Sequence, residues 1–407
     1  MVPVVAFGEI SGTHNLDMTK ASKLSPPARL AKTVRLTGRR WQNYLPIGIT
    51  LALPRLLRAD DQVDYRYEYY AEDARRMTIQ TDSVYFEQQL SDAFDVNGEL
   101  VYDGISGATP TGTHDINGKV LTTEVKDIRH AANLSLDGKL GNETITPGFA
   151  WSQETDYLSY GVSLNDAIEF NEKNTTVQVG ASHNFDSVRH ADKKTWSDKE
   201  SSEGLIGISQ LLTPKTILAA DFTFGYENGF LSDPYRLAQY HPTIFPPNFF
   251  IGVPERRPDF RSKEILYTSL TQYFDRINGS LEGSYRFYND SYGIVAHTVG
   301  LTWHQWLGKH FIVEPQVRLY EQSAASFYST TFSGPFSSNP AGIHSSDYRL
   351  SNLYSVDVGL QATALVCSHF HVVAGYHRYA MYGMDGKTSA AMYPKANVFT
   401  IGISILW

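Results

Sequence analysis

The stretch Phe399-Thr-Ile-Gly-Ile-Ser-Ile-Leu-Trp407 carries an apolar side chain at every second position. Thr400, Gly402 and Ser404 occupy most of the positions between them. Successive side chains of a β-strand point to opposite faces of the sheet. The segment therefore predicts a strand with one apolar face and one polar face.

The same alternation recurs from Val63 onward, and we find no convincing helical periodicity there. In Val63-Asp-Tyr-Arg-Tyr-Glu-Tyr-Tyr70, aromatic and charged residues take alternate positions. About sixteen strands of roughly 10 residues are predicted, with fourteen or eighteen also compatible. Their spans are 62–72, 77–90, 93–104, 127–139, 143–153, 157–169, 174–187, 203–213, 216–229, 263–275, 278–289, 293–306, 310–322, 352–366, 370–383 and 396–407.

Short and long connections alternate between the predicted strands. The short ones are Ser91-Asp92, Gly141-Asn142, Asn171-Glu172-Lys173, Pro214-Lys215, Arg276-Ile277, Gly308-Lys309 and Ser368-His369, and the long ones are 105–126, 188–202, 230–262, 323–351 and 384–395. Transmembrane β-barrels have short periplasmic turns and longer extracellular loops, whereas a soluble β-sandwich has no reason to sort its loops in this way. We therefore predict an all-β fold, a transmembrane antiparallel up-and-down β-barrel over residues 60–407.

The last strand is predicted to close the barrel by pairing with the first, because an unpaired edge in lipid leaves costly polar groups. A last strand ending in Phe or Trp resembles the signal read by the outer-membrane barrel assembly machinery, which is then an expected partner during biogenesis. The residues of this predicted signal are Phe399, Ile401, Ile403, Ile405 and Trp407. The alternative is an amphipathic edge strand of a soluble sheet.

Composition agrees with a barrel and excludes several classes of protein. The chain is 42% hydrophobic with a mean hydropathy of −0.29, and 13% of its residues are aromatic, which suits the aromatic girdles of a barrel. Residues 1–59 hold 9 of the 35 basic residues and 2 of the 43 acidic ones, so the remainder is strongly acidic. That balance argues against a nucleic-acid partner. A single cysteine, Cys367, excludes an intrachain disulfide.

The N-terminal region has the features of a signal peptide. Lys32–Arg40 is basic, Tyr44–Leu57 is a short apolar run, and a cleavage site is expected near Ala59. The alternative, a buried N-terminal helix, would be broken by Pro46 and Pro54. We therefore expect residues 1–59 to be an extension and signal peptide, and the mature chain to be integral to a bacterial outer membrane.

Charged residues of the predicted strands fall on the face opposite the aromatic residues, as expected for a polar lumen. The predicted lumen-lining residues are Arg66, Glu68, Glu99, Arg129, Glu282, Arg286, Glu314 and Arg318. The last four are expected to form a cross-strand ionic ladder. Structural filling of the interior and selectivity for ions or small solutes both remain open for this set.

The 230–262 loop is the most unusual connection because prolines stiffen its middle and charged residues lie toward both ends. Two interpretations are open: a constriction folded into the lumen, or an extracellular flap latched by ion pairs. The residues expected to take part are Asp233, Tyr235, Arg236, Arg256, Arg257, Asp259 and Arg261.

Catalytic and cofactor motifs are not evident. No Ser-His arrangement with a defined spacing, phosphate-binding glycine loop or zinc motif is present, so no catalytic residue, cofactor or metal site is predicted. Cys367, His369 and His371 are alternate residues with suitable ligand chemistry. They flank a tight turn, however, that is expected to scatter them.

Several segments resemble bacterial outer-membrane proteins of the domain-of-unknown-function family 3570. They are Val63–Tyr70, Gly229-Phe-Leu-Ser-Asp-Pro-Tyr-Arg236, Arg257-Pro-Asp-Phe-Arg261, Tyr285-Arg-Phe-Tyr-Asn-Asp-Ser-Tyr-Gly293 with His297-Thr298, and Tyr320-Glu-Gln-Ser-Ala-Ala-Ser-Phe-Tyr328. The resemblance covers about 62–407 and implies an outer-membrane barrel without an established activity.

We expect a porin-like channel or transporter for small polar solutes or ions. A non-conducting scaffold or receptor for a periplasmic or surface partner is the alternative, and an outer-membrane hydrolase is a more distant one. The sequence leaves the oligomeric state open.

Overall fold

The structure, a computed structural model, describes residues 61–190, 194–337 and 340–407. The expected signal peptide and the cleavage site near Ala59 lie outside the described residues. Nearly all regular structure in the described ranges is β-strand. The helical segments there are 3-10 turns of three residues each, at Asp73–Arg75, Tyr348–Leu350 and Ala390–Met392. None of the described helices has the length and apolar character needed to cross a membrane.

Sixteen of the strands in the described ranges form one closed barrel, and three short strands form a separate sheet. The barrel strands are β1 (Gln62–Glu72), β2 (Met77–Gln89), β3 (Phe94–His114), β4 (Val120–Leu140), β5 (Glu143–Gln153), β6 (Tyr157–Phe170), β7 (Thr175–Arg189), β8 (Trp196–Thr213), β9 (Thr216–Gly229), β12 (Phe260–Phe274), β13 (Gly279–Asp290), β14 (Val295–Leu307), β15 (Phe311–Gln322), β17 (Leu353–Cys367), β18 (Phe370–Gly383) and β19 (Lys395–Leu406). The small sheet consists of β10 (Leu237–Pro242), β11 (Ile251–Pro254) and β16 (Phe332–Gly334).

The barrel closes where β1 pairs antiparallel with β19. Gln62 lies opposite Leu406 and Tyr69 lies opposite Phe399, so the pairing runs along the full length of both strands. Each remaining barrel strand pairs antiparallel with its neighbours. The predicted fold class, an antiparallel barrel of sixteen strands, is confirmed.

The two ends of the barrel differ in their connections. We call one end the turn end, because its connections are all short: 90–93, 141–142, 171–174, 214–215, 275–278, 308–310 and 368–369. The other, the loop end, carries 73–76, 115–119, 154–156, 190–195, 230–259, 291–294, 323–352 and 384–394. Two of the predicted long loops, 105–126 and 188–202, are wrong, because β3, β4, β7 and β8 continue through most of these residues as paired strands.

The outer surface of the barrel is apolar. On β19, Phe399, Ile401 and Ile405 are exposed, whereas Val398 on the alternate face is buried. The same alternation places Tyr65 outside and Tyr70 inside on β1. A band of exposed apolar side chains around a closed sheet is what a bilayer requires of a spanning β-structure.

The β3–β4 hairpin bends at its far end. The register of β3 against β4 shifts between Pro110 and His114, and Gly112 has φ of +102°, a conformation that side-chain-bearing residues rarely adopt. A Cβ at Gly112 would lie 2.6 Å from the Leu237 carbonyl oxygen and 2.8 Å from that of Ser346. The bend therefore brings the hairpin into direct backbone contact with the two longest loops.

Candidate functional site

The 230–259 and 323–352 loops form one layer at the loop end. β10 from the first loop pairs antiparallel with β11 and parallel with β16 of the second loop. Arg256 and His344 form a further bridge, in which each backbone N–H donates to the other residue's carbonyl. We call this layer, together with the end of the β3–β4 hairpin, the cover.

The cover reaches widely separated walls of the barrel. Tyr235 packs against a buried apolar cluster on β1–β4 and β19, while Leu350 belongs to a cluster on β12–β14. In the closed strand order, β12–β14 lie across the ring from β2–β4. Tyr348 packs against β17 and β18 in a third cluster, which Val120 of the hairpin also contacts. Because the same layer touches opposite sides of the ring, it spans the lumen at the loop end.

Six charged side chains hold the two loops of the cover together, four of them buried and two, Arg257 and Arg349, partly exposed, and we call them the latch network. Arg349 lies 2.5 Å from both Asp347 and Asp233, and Arg257 lies 2.7 Å from Asp347. The remaining pairs are Arg257–Glu255 at 2.8 Å, Arg236–Asp233 at 3.7 Å and Arg236–Asp347 at 3.7 Å. Three acids face three arginines, so the formal charge is balanced. Balance is required because a buried charge without a partner is strongly destabilising.

Hydrogen bonds extend the latch network to the barrel and the hairpin. The Arg236 guanidinium donates to the Pro110 carbonyl of β3 and lies 5.6 Å from the centre of the Tyr348 ring. The Tyr235 hydroxyl donates to Asp156 in the β5–β6 turn. Glu255 accepts from the Asp233 backbone N–H and from the Ser345 hydroxyl, both at the core of the cover.

The carboxyl groups of the latch network differ in their pKa shifts. Burial by itself raises the pKa of Asp347, but Arg349, Arg236 and Arg257 outweigh it and hold that pKa well below its usual range. Burial opposed by Arg349 and Arg236 leaves the pKa of Asp233 lowered to about 2. For Glu255, burial dominates over the attraction of Arg257, and its pKa is raised. Both aspartates are therefore held ionised, and Glu255 is the acid of the network that takes up a proton most readily.

The residues predicted for the 230–262 loop separate into three groups. Asp233, Tyr235, Arg236 and Arg257 lie in or beside the latch network. Arg256 and Asp259 have exposed side chains outside it. Arg261 belongs to a second ion pair, 2.8 Å from Asp290 and 4.7 Å from the centre of the Tyr292 ring.

Sequence reasoning missed Glu255, Asp347 and Arg349 as members of this site. Asp347-Tyr-Arg349 repeats the residue types of Asp233-Pro-Tyr-Arg236, and this repetition was the signal available in the sequence.

The predicted lumen residues lie on the inward faces of their strands, but the expected ladder does not form. β14 separates β13, which carries Glu282 and Arg286, from β15, which carries Glu314 and Arg318. Glu314 instead bonds to His304 at 2.6 Å and to Gln361 at 2.8 Å. The expectation failed because it treated β13 and β15 as neighbours.

The other lumen residues lie on the opposite wall. Arg66 and Glu68 occupy inward positions of β1, and Glu99 accepts a hydrogen bond from Asn133 at 3.4 Å. Arg129 lies 3.4 Å from Glu154 and 3.8 Å from Asp103. An inner-wall cluster that the sequence did not indicate joins β7, β8, β9 and β12 through Lys263–Glu227 at 2.8 Å, Lys263–Glu203 at 3.4 Å and Lys199–Asp186 at 3.6 Å.

Cys367 and the two nearby histidines do not converge. Cys367 and His369 are exposed beside the 368–369 turn, whereas His371 is buried. The turn separates the three side chains, as expected from its position.

A family profile described as "Protein of unknown function (DUF3570)" matches residues 50–123, 117–196 and 187–399. The chain belongs to this family. The resemblance predicted from the sequence is thereby confirmed. No curated protein matches this DUF3570 chain.

Solved structures similar to this DUF3570 protein include several outer-membrane proteins. A bacterial polysaccharide outer membrane secretin is 8% identical with a TM-score of 0.46, over 86% of this chain and 99% of the secretin. CdiB from Acinetobacter baumannii is 8% identical with a TM-score of 0.48, over 85% of this chain and 60% of CdiB. OpdK from Pseudomonas aeruginosa, solved with vanillate, is 8% identical with a TM-score of 0.42, over 86% of this chain and 99% of OpdK.

Proposed function

We propose that this outer-membrane barrel is a gated, porin-like channel for small polar solutes or ions. The observation that carries the proposal is the cover: it spans the lumen at the loop end and is held by the latch network rather than by an apolar core alone. Below it, the inward faces of the strands carry polar and charged side chains, which suit an aqueous path. No catalytic role is proposed for any of these residues.

Ion pairs hold the cover in a closed state, and breaking them is expected to open it. Taking these charges wholly or largely out of water costs desolvation free energy, which the pairs offset only while their geometry is intact. Removing Asp347 leaves three arginines facing two acids, and one uncompensated charge in such a site costs about 3–5 kcal/mol. A change that disturbs one acid of the network is therefore expected to open the whole layer.

Single-channel conductance in planar bilayers tests the proposal. We expect the unmodified barrel to be mostly closed, and Asp347→Ala to increase the open fraction at least tenfold, because Arg236, Arg257 and Arg349 would repel one another. Asp259→Asn is the matched control, since Asp259 is an exposed acid of the neighbouring loop and lies outside the network. A folded Asp347→Ala barrel with the conductance of the control would contradict the proposal.

A second candidate function is a non-conducting scaffold or receptor. The near-complete burial of Arg236 and Asp347, 1% and 0% exposed, favours it, because such a network also suits permanent closure. Affinity capture from mildly solubilised membranes distinguishes the two functions. A stoichiometric partner, together with no conductance from either form of the barrel, would favour the scaffold.

A further inference from the structure

Three carboxylates meet at the loop end beside the cover. Asp127 of β4 and Glu154 and Asp156 of the β5–β6 turn each offer one oxygen, and these oxygens all lie within 4.8 Å of one another. Calcium binds oxygen at 2.3–2.6 Å, so two ligands on opposite sides of one ion are about 4.8 Å apart. The three oxygens are therefore close enough to share one ion of that size.

Burial makes this cluster different from an ordinary acidic surface. Asp127, Glu154 and Asp156 are each at least nine-tenths buried, and Asp103 nearby is 1% exposed. The cations beside them are Arg129, 3.4 Å from Glu154, and Arg189, which donates to the Thr155 carbonyl at 3.5 Å. Four buried acids against two arginines leave an excess of negative charge, and buried charge requires compensation.

A second observation concerns one oxygen of Glu154 that no protein group in the described part of the chain satisfies. Within the described residues, Oε2 of Glu154 is buried and has no hydrogen-bond partner. Buried polar atoms are almost always paired, with protein, water or an ion. Oδ1 of Asp127, by contrast, already accepts from Thr155 and from the Ile128 backbone. The unpaired oxygen belongs to Glu154, the side chain that connects the β5–β6 turn to β4 through its ion pair with Arg129.

We propose that Asp127, Glu154 and Asp156 bind a divalent cation of the size of Ca²⁺. The remaining ligands are water, which the flexible coordination of Ca²⁺ accepts. Mg²⁺ is the less favoured ion because it requires near-octahedral geometry with bonds of 2.0–2.1 Å and loses its water reluctantly. The ion would also order the carboxylate that receives the Tyr235 hydroxyl, and so connects the cation site to the cover.

Calcium titration of the purified, folded full-length barrel in detergent, after chelator treatment, tests this site. We expect isothermal titration calorimetry to give one Ca²⁺ per chain with a dissociation constant of about 10⁻⁴–10⁻³ M, as in extracellular calcium modules. Mg²⁺ should bind at least tenfold more weakly. Glu154→Gln and Asp156→Asn should each weaken Ca²⁺ binding at least tenfold. Asp115→Asn, an acid at the tip of the β3–β4 hairpin, is the matched control and should bind as the unmodified protein does.

The calcium titration does not measure conductance. Its outcome therefore tests the cation site independently of the proposed channel. Terbium luminescence, sensitised by Tyr235, provides a second measurement on the same samples. The absence of any Ca²⁺ binding to the folded barrel would overturn the proposal, as would unchanged binding by the folded Glu154→Gln and Asp156→Asn variants. Far-UV circular dichroism confirms folding, and Asp127→Asn replaces any variant that does not fold.

Discussion

Asp347 shows how much of the closed loop end depends on single side chains. It is fully buried and contacts Arg349 and Arg257 at 2.5 and 2.7 Å, with Arg236 at 3.7 Å. No alternation or spacing in the sequence reports such contacts. Asp233 and Arg349, for example, are 116 residues apart and come from different loops. The members from the 230–262 loop could be predicted as charged residues of an unusual connection, but their partners depend on how two loops pack.

Tyr235 supplies a prediction at the same scale. Tyr235→Phe should keep the ring contact with the apolar cluster but remove the hydrogen bond to Asp156, which is worth about 1.5–3 kcal/mol because the acceptor is charged. We expect faster protease cleavage within the 230–259 loop. Tyr328→Phe is the matched control, since it removes a bond to the neutral Thr388 hydroxyl and should have a smaller effect. Equal cleavage rates for both variants would contradict this assignment.

The strands themselves were largely predictable, and the reason is physical. Where a strand crosses lipid, its outer face must be apolar and its lumen face can be polar, so a period of two is imposed on the sequence. β1, β5, β9 and β18 have the bounds expected from this pattern. The sequence pattern ended β3 at residue 104 and began β4 at residue 127. It therefore missed the extension of β3 to His114 and the earlier start of β4 at Val120. There β3 is largely buried against the cover, so the lipid pattern no longer applies.

The outer face of β19 gives a direct test of the lipid assignment. Ile401→Arg should lower the free energy of unfolding in lipid vesicles by about 2–4 kcal/mol, because Ile401 is an exposed apolar residue near the middle of the strand. Thr400→Arg, one residue earlier on the inward face, should cost much less because it lies beside Glu68. Denaturant titration followed by tryptophan fluorescence measures both. Similar losses for the two variants would argue against the assigned faces.

The bent hairpin gives a second prediction for an element. Gly112→Ala should separate the hairpin from the cover, because the new Cβ would lie 2.6 Å from the Leu237 carbonyl oxygen. Gly118→Ala is the control: this glycine also has a positive φ, +78°, but nothing lies within 4 Å of its Cβ position. Both substitutions place a Cβ-bearing residue at a positive φ, which costs about 1–2 kcal/mol. Only Gly112→Ala adds a steric clash. We expect hydrogen exchange of the β10 amides to accelerate in Gly112→Ala alone.

The molecule as a whole is expected to open in acid. Asp233 and Asp347 have lowered pKa values in the folded protein, so their contribution to stability is present above the ordinary aspartate pKa of about 3.9 and is lost as the pH falls. The raised pKa of Glu255 acts in the opposite direction, since its protonation is favoured in the closed state. We therefore expect conductance to rise between about pH 4 and pH 2.

Ionic strength separates this effect from surface electrostatics. Buried pairs are screened far less than exposed ones, so raising the salt concentration from about 0.1 to 1 M at neutral pH should leave the barrel closed. Opening by salt alone would place the controlling charges at the surface and contradict the role of the latch network.

The seam between β1 and β19 has a consequence for how such a barrel is made. Tyr65 pairs with Ile403, so these contacts join opposite ends of the chain and carry the largest loop-closure entropy in the sheet. Until β19 has been synthesised, every shorter product keeps two unsatisfied edges that tend to pair with other chains. Ring formation is thus a late event in biogenesis, and the time before it is when the chain is most exposed to aggregation.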